Sequence, residues 1–391
     1  MQSLLLTDVR IVLPDRLLDG SVLLDNGKIA SIIPNTDPPV NAADRRELKG
    51  LTLFSGFIDV HIHGASGVDA MGASAEDLRM VARFLATRGV TGWLPTLVPA
   101  TQESYQASIS SAEQLISEQQ TSPTPDSARV LGIHYEGPFV NEAQCGALHV
   151  EHFRFFRHHS ELSTLPLLRA TGPRMMMTLA PEIEGGVDLT RALCRQGWVV
   201  AIGHTRANTG ILDQAFDAGA RHMTHFMNAM SPMHHRNPGP IAWGLSRDDV
   251  TCDVIADGIH LDPFMLRLLL KLKGSRNLML ISDAIAAAGK GDGDYNLWGE
   301  TITVKNGRTS NAAGSIAGSV ITMLDAVRMM RSLNASDVEL AQMASSNPAR
   351  LLRLDHEIGS IEEGKRADLV ALDDHGEVRL TIVGGEIVFQ S

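Results

Sequence analysis

The chain is 391 residues long, 44% apolar and 20% charged, with a formal charge of -11. That length exceeds one small domain and can bury a sizeable core. No stretch nears the ~18 consecutive apolar residues of a membrane span, and an acidic surface is unsuited to displacing counterions from nucleic-acid phosphates.

The first residues lack the basic start and long apolar core of a signal peptide. Cys145, Cys194 and Cys252 are odd in number and scattered, which fits reduced thiols better than a disulfide framework. A cytoplasmic location is expected on both counts. From Ser3 to about Leu53, short apolar runs alternate with turn signals, and Asn26-Gly27 between β-like runs predicts a hairpin. Between about Phe57 and Leu354, β-like runs are separated by helical segments, the signature of parallel α/β structure. Eight strands are predicted, at 57–63, 92–98, 130–136, 175–181, 199–204, 222–226, 252–256 and 278–283. A helix is predicted over 75–88, with Leu78, Val81, Ala82 and Leu85 at helical spacing, and 117–126 reads as an exposed loop. The last stretch returns to strand texture, with Leu369-Val370-Ala371-Leu372 and Thr381-Ile382-Val383. The expected architecture is therefore α/β: a (β/α)8 TIM-like barrel over 56–354 and a small β-sandwich built from both chain ends, 1–55 and 355–391.

Ligand-type residues fall at the ends of these strands, where barrel enzymes build their sites. His61 and His63 alternate along the first strand, so a period of two puts both imidazoles on one face. Glu136 ends the third strand and His204 the fifth, His225 lies on the sixth, and Asp283 closes the eighth. Imidazoles with one or two carboxylates are the usual donors to a catalytic divalent ion such as Zn2+. Such an ion makes water nucleophilic by lowering its pKa towards ~7, and Asp283 is the natural acceptor of that water's proton. Strand parity turns His222 away from His225, so it is left out of the cluster.

The run Gly56-Phe57-Ile58-Asp59-Val60-His61-Ile62-His63-Gly64 resembles the amidohydrolase superfamily. His134-Tyr135-Glu136-Gly137-Pro138, Thr224-His225-Phe226-Met227-Asn228-Ala229-Met230 and Ala256-Asp257-Gly258-Ile259-His260 narrow the resemblance to its N-acetylglucosamine-6-phosphate deacetylases. The resemblance implies that Glu136, His204 and His225 hold the principal metal, with His61 and His63 at a second position. The ions would number one or two per subunit, with Zn2+ first and Fe2+, Co2+ or Mn2+ as alternatives. It implies further that Asp283 is general base and acid, and that His149 polarises the acetyl carbonyl. Arg236, His260, Asn228 and Ala229 would contact the sugar phosphate. The expected activity is deacetylation of N-acetylglucosamine 6-phosphate by metal-activated water, in a homodimer with a small-molecule substrate and neither nucleic-acid nor membrane partners. Deacetylation of another N-acetylhexosamine phosphate, such as the galactosamine epimer, and a cyclic-amide or N-acyl-amino-acid hydrolase are the rivals, while the intact ligand set and Asp283 count against a catalytically silent scaffold.

Overall fold

The computed structural model describes residues 3–37, 42, 44–122, 124–170, 172 and 174–391. Eight parallel strands form a barrel: β1 Phe57–Ile62, β2 Val90–Leu97, β3 Gly132–Glu136, β4 Arg174–Leu179, β5 Val199–Ile202, β6 His222–Met223, β7 Thr251–Ile255 and β8 Leu278–Ile281. Each pairs with the next in chain order. Apart from Arg174, Met175 and Thr251, every residue of these strands is buried, because helices cover the outside while side chains fill the inside. The seam between β8 and β1 carries no ladder among the described strands. It is closed instead by Asp283 N–H donating to the His61 carbonyl at 2.9 Å and by the buried Asp59 carboxylate. Asp59 accepts the Ser282 hydroxyl at 2.5 Å and the Ser282 N–H at 3.3 Å.

Helix α1, Ala75–Ala86, starts at a capping box in which Ser74 and Asp77 satisfy each other's backbone N–H groups. It ends two residues before the expected 88, where Thr87 caps it and Gly89 turns the chain at φ 79°. Helix α2, Gln102–Thr121, reaches into the segment read as a loop, because Ile109, Ala112, Leu115 and Ile116 bury one stripe beneath its polar face. Pro123 of that segment lies outside the described residues. The connection from β3 to β4 holds three short 3-10 turns, Glu142–Gln144, Val150–His152 and His159–Thr164, where a barrel helix would stand. After β8 comes a small antiparallel sheet, Gly293–Leu297, Glu300–Lys305 and Arg308–Ser310.

Both chain ends join one further sheet, apart from the barrel. Leu369–Leu372 pairs antiparallel with Thr52–Ser55, and Leu4–Val12 runs parallel to both Thr52–Ser55 and Asp44–Glu47. The sheet is thus mixed and continuous, and both chain ends contribute strands to it as expected. Its two halves share a core that includes Leu6, Ile11, Val22, Ile29, Leu369 and Ile382. The Asn26-Gly27 hairpin forms as expected, with φ of 48° and 76° and Asp25 opposite Lys28. No helix among the described residues is long and apolar enough to cross a membrane.

Candidate active site

Glu136 is the last residue of β3, whereas His204, His225 and Asp283 stand two residues beyond β5, β6 and β8. Those three have backbone φ of 47°, 28° and 50°. This left-handed turn aims each side chain inward, at a cost of order 1–3 kcal/mol apiece. Gly203 lets His204 approach: a Cβ there would lie 2.6 Å from the Thr224 methyl and 2.8 Å from that of Thr178.

The side chains converge. Glu136 Oε1 is 3.0 Å from both His204 Nε2 and His225 Nε2, and those two nitrogens are 3.1 Å apart. His61 Nε2 lies 3.4 Å from Glu136 Oε1 and 3.4 Å from Asp283 Oδ1. His63 Nε2 lies 3.3 Å from Glu136 Oε2 and 3.2 Å from Asp283 Oδ1. Burial alone would raise Glu136, but the surrounding imidazoles hold its carboxyl well below the ordinary range. Burial likewise disfavours charge on His63 and His225, yet the neighbouring carboxylates lift them to about 10 and about 9.

Hydrogen bonds around the cluster fix which nitrogens face inward. His204 Nδ1 donates to the Gln144 carbonyl at 2.8 Å, so its Nε2 presents a lone pair. Thr224 Oγ1 donates to Asp253 and accepts from His61 Nδ1 at 3.0 Å, which leaves His61 Nε2 with a lone pair and no hydrogen-bond partner. Asp253 also accepts the His225 backbone N–H and, at 2.7 Å, His222 Nε2. His222 therefore lies outside the cluster, as parity indicated, but braces it. Lone pairs of two imidazoles crowd a carboxylate oxygen, an arrangement that a shared cation satisfies. His61, His63 and Glu136 form one such group and Glu136, His204 and His225 another, all buried. This donor set is that of a divalent metal site.

Above it opens a cavity of about 170 Å3 whose wall includes Asp283, His260, Asn228 and Ala229. His260 Nδ1 is held by Asp257 at 2.7 Å, and Asn228 Nδ2 is buried without a partner among the described residues. Of the expected residues, His61 is buried beneath the floor, and His149 and Arg236 are not in the wall. Leu148 lines the cavity, while His149 beside it engages Glu151 at 3.1 Å through Nδ1. Arg236 is exposed on the segment after Met230 and contacts His235 at 2.8 Å. Sequence reasoning missed Trp298, at the tip of the small antiparallel sheet, which packs edge-on to His63 with ring centroids 5.4 Å apart. It also missed Asp253, whose signal was a lone carboxylate inside the apolar run Cys252-Asp253-Val254-Ile255.

Residues 52–388 match the model described as the amidohydrolase family. This chain belongs to the amidohydrolase family. Within that family it is 36% identical over 392 residues to the N-acetylglucosamine-6-phosphate deacetylase of Bacillus subtilis (strain 168), covering 100% of this chain and 98% of the relative. It is also 36% identical over 373 residues to the N-acetylgalactosamine-6-phosphate deacetylase of Escherichia coli O157:H7, covering 94% of each. Among solved structures it is similar to a mutant N-acetyl-D-glucosamine-6-phosphate deacetylase from Mycobacterium smegmatis in complex with N-acetyl-D-glucosamine-6-phosphate. That likeness has a TM-score of 0.89 and 30% identity, over 100% of both chains. The barrel of this amidohydrolase thus has counterparts along its whole length.

Proposed function

We propose that this amidohydrolase removes the acetyl group of N-acetylglucosamine 6-phosphate, releasing glucosamine 6-phosphate and acetate. The observation that carries this reading is Glu136 Oε1 at 3.0 Å from both His204 and His225 Nε2, on the floor of a cavity whose wall also holds Asp283 and His260. Likeness over the full chain to the Bacillus enzyme supports it. Residues 56–354 are taken as the catalytic unit, with 1–55 and 355–391 as its supporting sheet.

Glu136, His204 and His225 would hold the principal ion, and His61 and His63 would complete a second position. Zinc suits these donors best, with iron, cobalt or manganese as substitutes. When bound, a divalent cation lowers the pKa of water towards ~7 and polarises the acetyl carbonyl. Asp283 takes the proton of the attacking water on its carboxylate and hands it to the departing amine nitrogen. His149 follows the wall residue Leu148 and has a buried Nε2 with no partner among the described residues, which suits it to stabilise the acetyl oxygen once substrate is bound. His260, its Nδ1 fixed by Asp257, contacts the sugar phosphate together with Asn228 and Ala229, and Arg236 meets the phosphate at the rim. The chain acts as a cytoplasmic homodimer, in which Met233, 60% exposed on the Arg236 segment, is an apolar side chain for the partner to cover.

Acetate release from N-acetylglucosamine 6-phosphate, its galactosamine epimer and the unphosphorylated sugar, each with and without chelator, tests the reading. The glucosamine phosphate is expected to lead by about tenfold or more in kcat/KM, roughly 1.4 kcal/mol of discrimination. Chelator should abolish turnover and added divalent ion restore it. Equal turnover of the unphosphorylated sugar, or indifference to chelator, would overturn it.

A further inference from the structure

At the other end of the barrel, against the terminal sheet, lies a second cavity of about 810 Å3, roomy enough for a nucleotide-sized molecule. Lys28, Arg129, His356 and Arg366 are among its wall residues. Most of the arginines around it have counter-charges. Arg79 is paired with Glu118, and Arg366 with Asp368 and, at 3.2 Å, with Glu357. Arg129 differs: among the described residues its guanidinium, though half-buried, has neither an ion pair nor a hydrogen bond. Burial and the adjacent Arg366 charge push Arg129 below the ordinary arginine range, and the more distant Asp368 and Glu357 carboxylates offset this only in part. A partly desolvated cation with no carboxylate within ion-pair distance is costly, and a planar guanidinium matches phosphate oxygens in pairs.

We propose that this cavity binds a phosphate-bearing small molecule whose phosphate is held by Arg129, with Lys28 adding positive charge and His356 a ring nitrogen to the wall. The site is separate from the catalytic one. Arg129–Val130 pairs with the early part of β2, at Gly92 and Trp93, whereas Glu136 lies at the C-terminal end of β3. An occupant would therefore not compete with the deacetylase substrate, and the proposal stands independently of that activity.

The probe is inorganic pyrophosphate, titrated calorimetrically and by thermal shift into wild type, Arg129→Met, Lys28→Ala and His260→Ala. Wild type should bind it and melt at a higher temperature. Arg129→Met should bind about tenfold or more weakly, with kcat/KM for deacetylation unchanged and no loss of melting temperature in anion-free buffer, because the substitution removes no native ion pair. His260→Ala should keep the binding. If Arg129→Met folds poorly, the exposed Lys28→Ala gives the same comparison with a loss of about threefold. Wild type failing to bind, undiminished binding by the Arg129 or Lys28 variant, or binding abolished by His260→Ala would each overturn the site.

Discussion

At Asp283 the backbone turns left-handed, with φ 50°, and Oδ1 comes within 3.2 Å of His63 Nε2. Asparagine tolerates that conformation well, so Asp283→Asn should preserve the fold while removing the carboxylate proposed to move the proton. Turnover should fall by about 10²–10⁴-fold with bound metal retained, checked by steady-state kinetics alongside elemental analysis. The proton inventory of the cluster leads to a second expectation. Carboxylates hold His63 protonated to about pH 10 and His225 to about pH 9 in the metal-free chain, so an ion taking those nitrogens must displace protons. Apparent metal affinity should therefore strengthen as pH rises from 6 to 8, by about tenfold per unit for each proton released. Competition against a chelator at several pH values measures this, and a flat profile would contradict it. His61, His63, Glu136, His204, His225 and Asp283 could be picked from sequence because each stands at or near a strand end, where apolar periodicity stops on a polar side chain. His149 and Arg236 sit on irregular connections, whose path no periodicity encodes.

The barrel's elements were legible as existence and order, less so at their ends. β8 was expected through Asp283, but its ladder stops at Ile281, because apolar patterning does not register a change in the sign of φ. Beyond the ladder lies the seam of Asp59 and Ser282, and its strength can be measured. Ser282→Ala leaves the buried Asp59 carboxylate with backbone donors only, from Ser282 and His61. The loss should be about 1–3 kcal/mol in denaturant unfolding. A variant as stable as wild type would mean that the seam is held elsewhere. The antiparallel sheet carrying Trp298 was not read at all: its strands show few buried residues, Leu297, Ile302, Val304 and Thr309 among them. With so short an apolar alternation, only its packing on the barrel rim defines it.

Across the whole molecule, the terminal sheet and the barrel are mechanically continuous. Thr52–Ser55 pairs with Leu369–Leu372, Gly56 N–H bonds the Asp368 carbonyl at 2.9 Å, and Thr381 Oγ1 donates to the Ala86 carbonyl at 2.8 Å. A chain ending at Asp368 would strip Thr52–Ser55, the strand that leads into β1, of its Leu369–Leu372 partner and remove the Thr381 bond to the end of α1. It should lose its cooperative thermal transition and its acetate release together, followed by near-UV circular dichroism and assay; a soluble, active product would show the barrel to be self-sufficient. That the two ends meet was inferred from sequence because neither could bury a core alone, but their register and mixed polarity depend on partners too distant for any local signal. Ile32 N–H, for example, bonds Glu363 Oε1 across 331 residues of chain. Such pairings set a clock on biosynthesis. At roughly 5–20 residues per second, the first strands to leave the ribosome wait on the order of 15–65 seconds for their final neighbours. Through that interval the apolar faces that later meet Leu369 and Ile382 lack that cover.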